Sequence, residues 1–274
     1  KWAKDLPFEI KDARKEPVDV LWFVGDYASF DPRNQVVTRS FAKLLNQAGI
    51  NFGLLFEAEM NSGNDVRRVG EEGLYDFLAT SNIGTLQSCD FKSIVTTDPH
   101  SFNTIRNEYP DFGGEFEIQH YTTLVKELFE SGKLKLNKQN NQRVTFHDPC
   151  HLGRYNKGYD APREVIKMLG YDLVEMDRNR DNSFCCGAGG GRIWIPDPVG
   201  IEKPSANRMR EAGEIEGLEV FIVSCPKDLT MFEDALKTSG FEGQFVVREL
   251  IELINDCVEY DDSAEDESVE QVAV

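Results

Sequence analysis

The 274-residue chain is 40% hydrophobic and carries 48 acidic against 30 basic residues, which gives a formal net charge of −18 at pH 7. A chain of this length can bury two modest cores, and its acidity excludes a nucleic-acid-binding function, which depends on clusters of Lys and Arg. No apolar run approaches the roughly 18 residues of a membrane helix, so the sequence predicts no direct membrane span.

The two ends of the chain are polar. Residues 1–17 are interpreted as a polar leader, consistent with a piece cut from a longer protein, and the acidic residues 258–274 are predicted to be disordered. Acidity of this kind is typical of salt-loving organisms and also of ordinary acidic proteins, so both interpretations stay open. Six cysteines without an export signal indicate a cytoplasmic protein whose thiols stay reduced, with Cys89 and Cys257 as incidental thiols.

Short apolar runs alternate with amphipathic segments along the first half of the chain, which we assign to a domain at 18–132. The pattern predicts buried strands at 20–24, 52–56 and 94–97, and helices at 35–47, 70–80 and 121–130. A polar linker is predicted at 133–142. This alternation is typical of parallel sheets that are covered by helices.

The same order of elements begins again in a second domain at 143–257. Strands are predicted at 144–146, 172–175 and 220–223, and helices at 162–169, at 204–212 and after 226. The steps of 13, 17 and 37 positions from Asp26 to an Arg, a Lys and a Gly recur from Cys150 to the same three residue types. The fold class is therefore predicted as α/β, with two tandem pseudo-repeated domains and mostly parallel sheets.

The duplication sets positions of the first half opposite the cysteines of the second half. The pairs are Asp26 with Cys150, Asn61 with Cys185, Ser62 with Cys186, and Asp98 with Cys225. Functional loops of parallel sheets lie at the carboxyl ends of the strands, where all of these positions fall.

Four thiols are expected to converge in the second half: Cys150, Cys185, Cys186 and Cys225. Soft thiolates select zinc, copper(I) or iron–sulfur clusters, and four of them fill a complete coordination set. The glycine run that starts at Gly187 can offer backbone N–H groups to an anionic centre. His147 is interpreted as a hydrogen-bond donor to a cluster sulfur or as a partner within its own loop.

This cysteine spacing resembles the cysteine-rich CCG domain of heterodisulfide reductase catalytic subunits and of the iron–sulfur subunits of glycolate and lactate oxidases. The resemblance covers about residues 18–254 and includes relatives that accept electrons from electron-transfer flavoprotein. It implies one [4Fe–4S] cluster held by Cys150, Cys185, Cys186 and Cys225, with Gly187 and His147 beside it. Whether the cluster is cubane or non-cubane stays open.

Two departures from the family pattern bear on function. The first half has no thiol at its motif positions, so no cluster is predicted there, and Asp228 stands where the fuller motif has a fifth cysteine. The resemblance implies an oxidoreductase subunit that transfers electrons from a flavoprotein donor toward a quinone-linked acceptor, through a ferredoxin-like or membrane partner. A heterodisulfide or thiol-disulfide reductase, a structural zinc module and a metal-free dithiol remain as alternatives.

Charged residues near the motifs complete the predicted site. Arg154, Arg192 and Lys227 are interpreted either as cations that balance a cluster's negative charge or as surface charges. In the emptied first half, His100 together with Asp26 and Asp98 could bind a hard divalent metal, but a hydrogen-bonded polar loop is favoured.

Overall fold

The protein is represented by a computed structural model that describes residues 2–196 and 200–260. The described strands are β1 Lys11–Asp12, β2 Val20–Phe23, β3 Phe52–Leu54, β4 Ser93–Thr96, β5 Ile118–His120, β6 Arg143–Phe146, β7 Asp172–Leu173, β8 Val220–Val223 and β9 Val246–Glu249. The described α-helices are α1 Asp26–Phe30, α2 Pro32–Gln47, α3 Asn64–Arg68, α4 Glu72–Gln87, α5 Pro99–Asn107, α6 Tyr121–Glu130, α7 Asp160–Met168, α8 Pro204–Gly213, α9 Pro226–Thr238 and α10 Leu250–Cys257.

The first half builds a parallel sheet in the order β1-β3-β2-β4-β5. Its central strands β2 and β4 pair in parallel, with Leu21 opposite Ile94 and Trp22 opposite Val95. These four side chains are fully buried because helices cover both faces of the sheet, which explains the unbroken apolar runs in the sequence.

The second half builds a parallel sheet in the order β7-β6-β8-β9. This order repeats β3-β2-β4-β5 of the first sheet, and the helix that follows β8 corresponds to the helix that follows β4. The predicted fold class, two pseudo-repeated α/β units with mostly parallel sheets, is confirmed. Each strand delivers the chain to the same edge of its sheet, where the loops of interest begin.

The two halves share one hydrophobic core and several polar contacts. Arg33 at the start of α2 bonds Glu233 of α9 at 2.7 Å and Glu252 of α10 at 2.8 Å. The Tyr121 hydroxyl lies 2.5 Å from the Glu249 carboxylate across the same boundary. These buried and half-buried contacts join α2 and α6 of the first half to α9, β9 and α10 of the second half.

The two ends of the chain and the segment that connects its halves differ in detail from what the sequence predicts. The predicted leader at 1–17 contains β1, which adds an outer strand to the first sheet beside β3. Within the predicted linker at 133–142, Leu134 is buried and Leu136 forms a bridge with Val258. The predicted acidic tail lies outside the described residues from 261 onward. Across 2–196 and 200–260, every helix is too short or too polar to cross a bilayer.

Candidate metal centre

The four predicted thiols lie at the carboxyl edge of the second sheet. Cys150 is in the loop after β6, Cys185 and Cys186 are in the long connection between β7 and α8, and Cys225 is the N-cap residue of α9. Cys186 and Cys225 are buried, Cys150 is half-buried and Cys185 is exposed. The two cysteines outside the motifs occupy other places, Cys89 after α4 and Cys257 at the end of α10.

The adjacent pair Cys185 and Cys186 is held by the glycine turn that follows it. The Gly187 N–H donates to Cys185 Sγ at 3.2 Å, and the Ala188 N–H donates to Cys186 Sγ at 3.4 Å. Gly187 has a φ of 87°, a left-handed conformation that glycine adopts without strain. The Cys186 thiol and the Gly187 N–H lower the pKa of Cys185, so this sulfur ionises first.

Asp228, which lies in the first turn of α9, interacts with thiols from all three loops. The Cys185 thiol and burial raise the pKa of Cys186, and the Asp228 carboxylate raises it further. Burial raises the pKa values of Cys150 and Cys225, and Asp228 again adds to the effect. Burial also raises the pKa of Asp228 itself to about 7. The Asp228 carboxyl therefore lies within electrostatic range of thiols from separate loops.

Two residues, Arg154 and His151, influence the Cys150 thiol. Burial, with smaller contributions from Asp228 and Cys185, raises its pKa to about 12. Arg154 partly opposes this effect, which places its guanidinium near the thiols as a source of positive charge. The Cys150 Sγ also lies 3.4 Å from His151 Nδ1.

His147, which the sequence placed beside the thiols, is buried behind Asp228. Its Nε2 lies 3.7 Å from Asp228 Oδ2, too far for a good hydrogen bond, and its ring packs edge-on against Phe232 at 4.7 Å between centroids. Burial lowers the pKa of His147 well below its usual value, so the ring is neutral. The structure therefore places His147 next to the Asp228 carboxylate.

The first half contributes a histidine that sequence reasoning assigned elsewhere. His100 lies with its Nδ1 4.0 Å from Cys225 Sγ, and its ring stacks on His151 at 4.3 Å between centroids. Ligand atoms of Asp98, His100 and Cys225 all lie within 4.8 Å of one another. His100 Nδ1 also lies 3.0 Å from Asp98 Oδ1, so the structure brings together these two residues of the group predicted from the sequence. The contact with Cys225 depends on how the two halves face each other.

Lys227 makes a contact in the opposite direction, from the second half to the first half. It is the second-half counterpart of His100, and its Nζ lies 2.5 Å from Asp65 Oδ2 of the first half. Both partners are largely buried, with 7% and 14% of their side chains exposed. Lys227 is therefore paired with a carboxylate across the boundary, whereas Arg192 turns toward the carbonyls of Ile195 and Pro196.

The emptied positions of the first half form a hydrogen-bonded network. Asn61 Nδ2 donates to Asp26 Oδ2 at 2.6 Å, and the Ser101 hydroxyl donates to Asp98 Oδ2 at 2.7 Å while lying 3.1 Å from the Ser62 hydroxyl. Asp98 also caps α5 by accepting from the backbone N–H groups of its first turn. This arrangement agrees with the favoured interpretation of a satisfied polar loop.

Glu59, which the sequence did not single out, closes that network. Its two carboxylate oxygens accept from the backbone N–H groups of Val24 and Gly25 at 2.9 and 2.7 Å. Burial, aided by Asp26 and Asp98, raises its pKa to about 7. A cavity of about 420 Å³ adjoins it. No sequence motif near the end of β3 identifies Glu59 as a functional residue.

The donor set at the thiols fits a thiolate-bound metal centre. Four sulfurs from three loops lie at one edge of the sheet, and two of them accept from backbone N–H groups, which are features that an iron–sulfur cluster requires. Several buried polar atoms around them have no hydrogen-bond partner among the described residues: His100 Nε2, His147 Nδ1, His151 Nε2 and Asp228 Oδ2. Buried polar atoms are normally paired, so these four atoms leave hydrogen-bonding capacity for an additional group.

Comparison with known proteins gives a consistent result. Residues 144–233 match the CCG family, described as a cysteine-rich domain. The chain is 43% identical over 252 residues to the Bacillus subtilis protein named "Probable iron-sulfur-binding oxidoreductase FadF", an alignment that covers 89% of the chain and 35% of that relative.

Two further relatives carry different functional names. Identity is 36% over 241 residues with "EtfAB:quinone oxidoreductase" of Syntrophomonas wolfei, covering 86% of the chain and 34% of the relative. It is 32% over 252 residues with a protein of Methanosarcina barkeri that is named as a component of "Dihydromethanophenazine:CoB--CoM heterodisulfide reductase", covering 88% and 59%. The chain thus spans only a third to three fifths of the length of these relatives.

Proposed function

Because residues 144–233 form a CCG cysteine-rich domain, as the spacing of the cysteines indicates, we propose that the chain is part of an iron–sulfur oxidoreductase. The observation that supports the proposal is that Cys150, Cys185, Cys186 and Cys225 lie in three loops at the carboxyl edge of the second sheet. Relatives named as iron–sulfur and quinone oxidoreductases support it.

In this proposal the four cysteines hold one [4Fe–4S] cluster, which accepts and releases single electrons when bound. Gly187 positions Cys185 through its N–H, and Arg154 supplies positive charge beside the thiolates. The neutral His147 keeps the opposite side of the site buried and excludes water from Asp228. Exclusion of water strengthens every charge interaction at the site.

We propose a flavoprotein as the electron donor and a quinone-linked acceptor. A relative named for both electron-transfer flavoprotein and quinone supports these partners, and one from Chromohalobacter salexigens is named "Probable membrane-anchored ferredoxin". The protein would act in the cytoplasm, associated with the membrane through a ferredoxin-like or membrane partner or domain. The exposed Cys185 offers a route for electrons between the site and such a partner.

A heterodisulfide or thiol-disulfide reductase is the second candidate. It is favoured by the relatives named as parts of heterodisulfide reductase, which align with most of the chain. The polar motif positions of the first half and the carboxylate at position 228 favour simple electron transfer over it. A structural zinc module would also use four thiolates, and elemental analysis separates it from both.

The test is anaerobic purification of the full chain, followed by iron, sulfide and zinc analysis and EPR spectroscopy. About four irons per chain with an EPR signal in the reduced state would support the electron carrier. A paramagnetic oxidised state that responds to added thiol would instead support disulfide chemistry. Zinc without iron would overturn the iron–sulfur proposal.

A further inference from the structure

The thiol site contains a buried acid whose charge is opposed by burial and only partly balanced by the Cys186 thiol and Lys227. Asp228 is 2% exposed and lies among the thiols, yet Lys227, the buried cation next to it in the sequence, bonds Asp65 instead. A buried carboxylate costs several kcal/mol unless a cation or several donors compensate it.

One oxygen of this carboxylate has no partner within the described part of the chain. Asp228 Oδ2 is buried and accepts no hydrogen bond there, and its distance of 3.7 Å from His147 Nε2 is too long for one. The same carboxylate interacts with the Cys186 thiol. The unpaired oxygen therefore belongs to the same small volume as the cysteine sulfurs.

The first half shows what the same position looks like when its needs are met locally. Ser101 is the counterpart of Asp228, and its hydroxyl bonds Asp98 and lies within hydrogen-bonding distance of Ser62. Asp98 is the counterpart of Cys225 and accepts bonds at both oxygens. In the second half the equivalent positions carry a longer acidic side chain and sulfurs, and one oxygen of the acid is left without a donor in the described chain.

We infer that Asp228 is itself a metal ligand, which binds one iron of the centre through a carboxylate oxygen beside the four thiolates. This inference rests on the proposed function. Iron at the site supplies the positive charge that the acid lacks, and oxygen ligation makes one iron chemically distinct from the others. That iron is bound less tightly than a purely thiolate-ligated one, because a carboxylate is the harder and weaker ligand for it.

The experiment uses the full chain loaded anaerobically with ⁵⁷Fe and compares wild type with Asp228→Asn and Asp228→Cys by iron analysis and Mössbauer spectroscopy. In wild type, about a quarter of the iron signal should have the larger isomer shift of an oxygen-ligated site. Asp228→Asn should lose that component. Asp228→Cys should replace it with a thiolate-type signal while the iron content stays unchanged.

Glu249→Gln is the matched control, because Glu249 is a buried carboxylate whose hydrogen bonds come from the Tyr121 hydroxyl and the Ile251 N–H. Its spectrum should equal that of wild type. Identical spectra for wild type and Asp228→Asn would overturn the ligand assignment while leaving the iron–sulfur proposal intact. If Asp228→Asn fails to fold, an Asp228→Cys spectrum unchanged from wild type overturns it instead. Wild type without iron would overturn both proposals.

Discussion

The two halves of the chain build the same sheet order and use the equivalent edge in opposite ways. In the first half, oxygen-bearing side chains at the motif positions bond each other, as Asp26 does with Asn61 and Ser101 with Asp98. In the second half, the corresponding positions carry thiols and an acid whose oxygen has no partner among the described residues. The first edge joins these side chains to one another by hydrogen bonds, whereas the second leaves a carboxylate oxygen without a donor in the described chain.

This difference shows what role the first half has although it carries no thiol motif. The first half keeps its helix start because Asp98 accepts from the first turn of α5, whereas Cys225 caps α9 without such a bond. His100 of the first half contacts Cys225, and Asp65 of the first half bonds Lys227. The polar edge of the first half thus forms one wall of the thiol site in the other half.

The largest effect is expected from Cys186→Ser, with Ser62→Ala at the counterpart position as its control. Loss of a buried thiolate should lower the iron content from about four per chain to nearly none, because four thiolates form the complete set. Ser62→Ala should leave the iron content unchanged. Anaerobic iron and sulfide analysis of both variants makes the comparison, and full iron occupancy in Cys186→Ser would contradict the ligand set.

The contact between the halves is tested next, by Lys227→Met. Removing this cation leaves Asp65 buried without its partner, which is expected to cost about 3–5 kcal/mol in the free energy of unfolding. Arg143→Met removes a comparable pair with Asp172 that is about half exposed, and should cost less than about 1 kcal/mol. Denaturant unfolding of the two variants measures the difference. Equal losses would show that the cross-boundary pair is no more important than a surface pair.

Much of the fold could be predicted because it depends on local patterns. Strands of a parallel sheet are buried on both faces, so β2, β6 and β8 stand out as apolar runs. The repeated steps of 13, 17 and 37 positions exposed the duplication without any structure. The short strands β1, β5 and β9 lack that signal, since neither residue of β1 and only some residues of β5 and β9 are buried.

Some residues of the site can likewise be predicted from the local sequence, whereas others depend on contacts between distant parts of the chain. The thiols and Gly187 are marked by their own neighbours in the sequence. The positions of His100 at Cys225 and of His147 behind Asp228 follow from how separate loops face one another. No periodicity or spacing encodes that packing, which is why the sequence did not place His100 beside Cys225.

A moderate effect is expected from Ser101→Ala, which removes one hydroxyl from the network of the first half. Buried Asp98 loses a 2.7 Å hydrogen bond, and buried Ser62 loses the hydroxyl next to it. The free energy of unfolding should therefore fall by about 1–3 kcal/mol. Its iron content should equal that of wild type. Denaturant unfolding and iron analysis of the same preparation separate the two readouts. A loss of iron would show that the first network also shapes the thiol site.

The smallest effect concerns Glu59 and appears as a dependence of stability on pH. Burial raises the pKa of this carboxyl from 4.5 to about 7, so the folded protein binds its proton more tightly than the unfolded chain does. Stability from this group is therefore fully present below about pH 4.5 and falls as the pH rises toward 7. Glu59→Gln should reduce the change in unfolding free energy over this pH range by about 1 kcal/mol, because Glu59 is only partly shielded from water.

Thermal unfolding of wild type and Glu59→Gln between pH 5 and pH 8 measures this change. Glu57→Gln is the exposed control, and its pH dependence in this range should match that of wild type. Parallel curves for wild type and Glu59→Gln would mean that Glu59 is ionised in the folded protein at neutral pH, held by its two backbone donors.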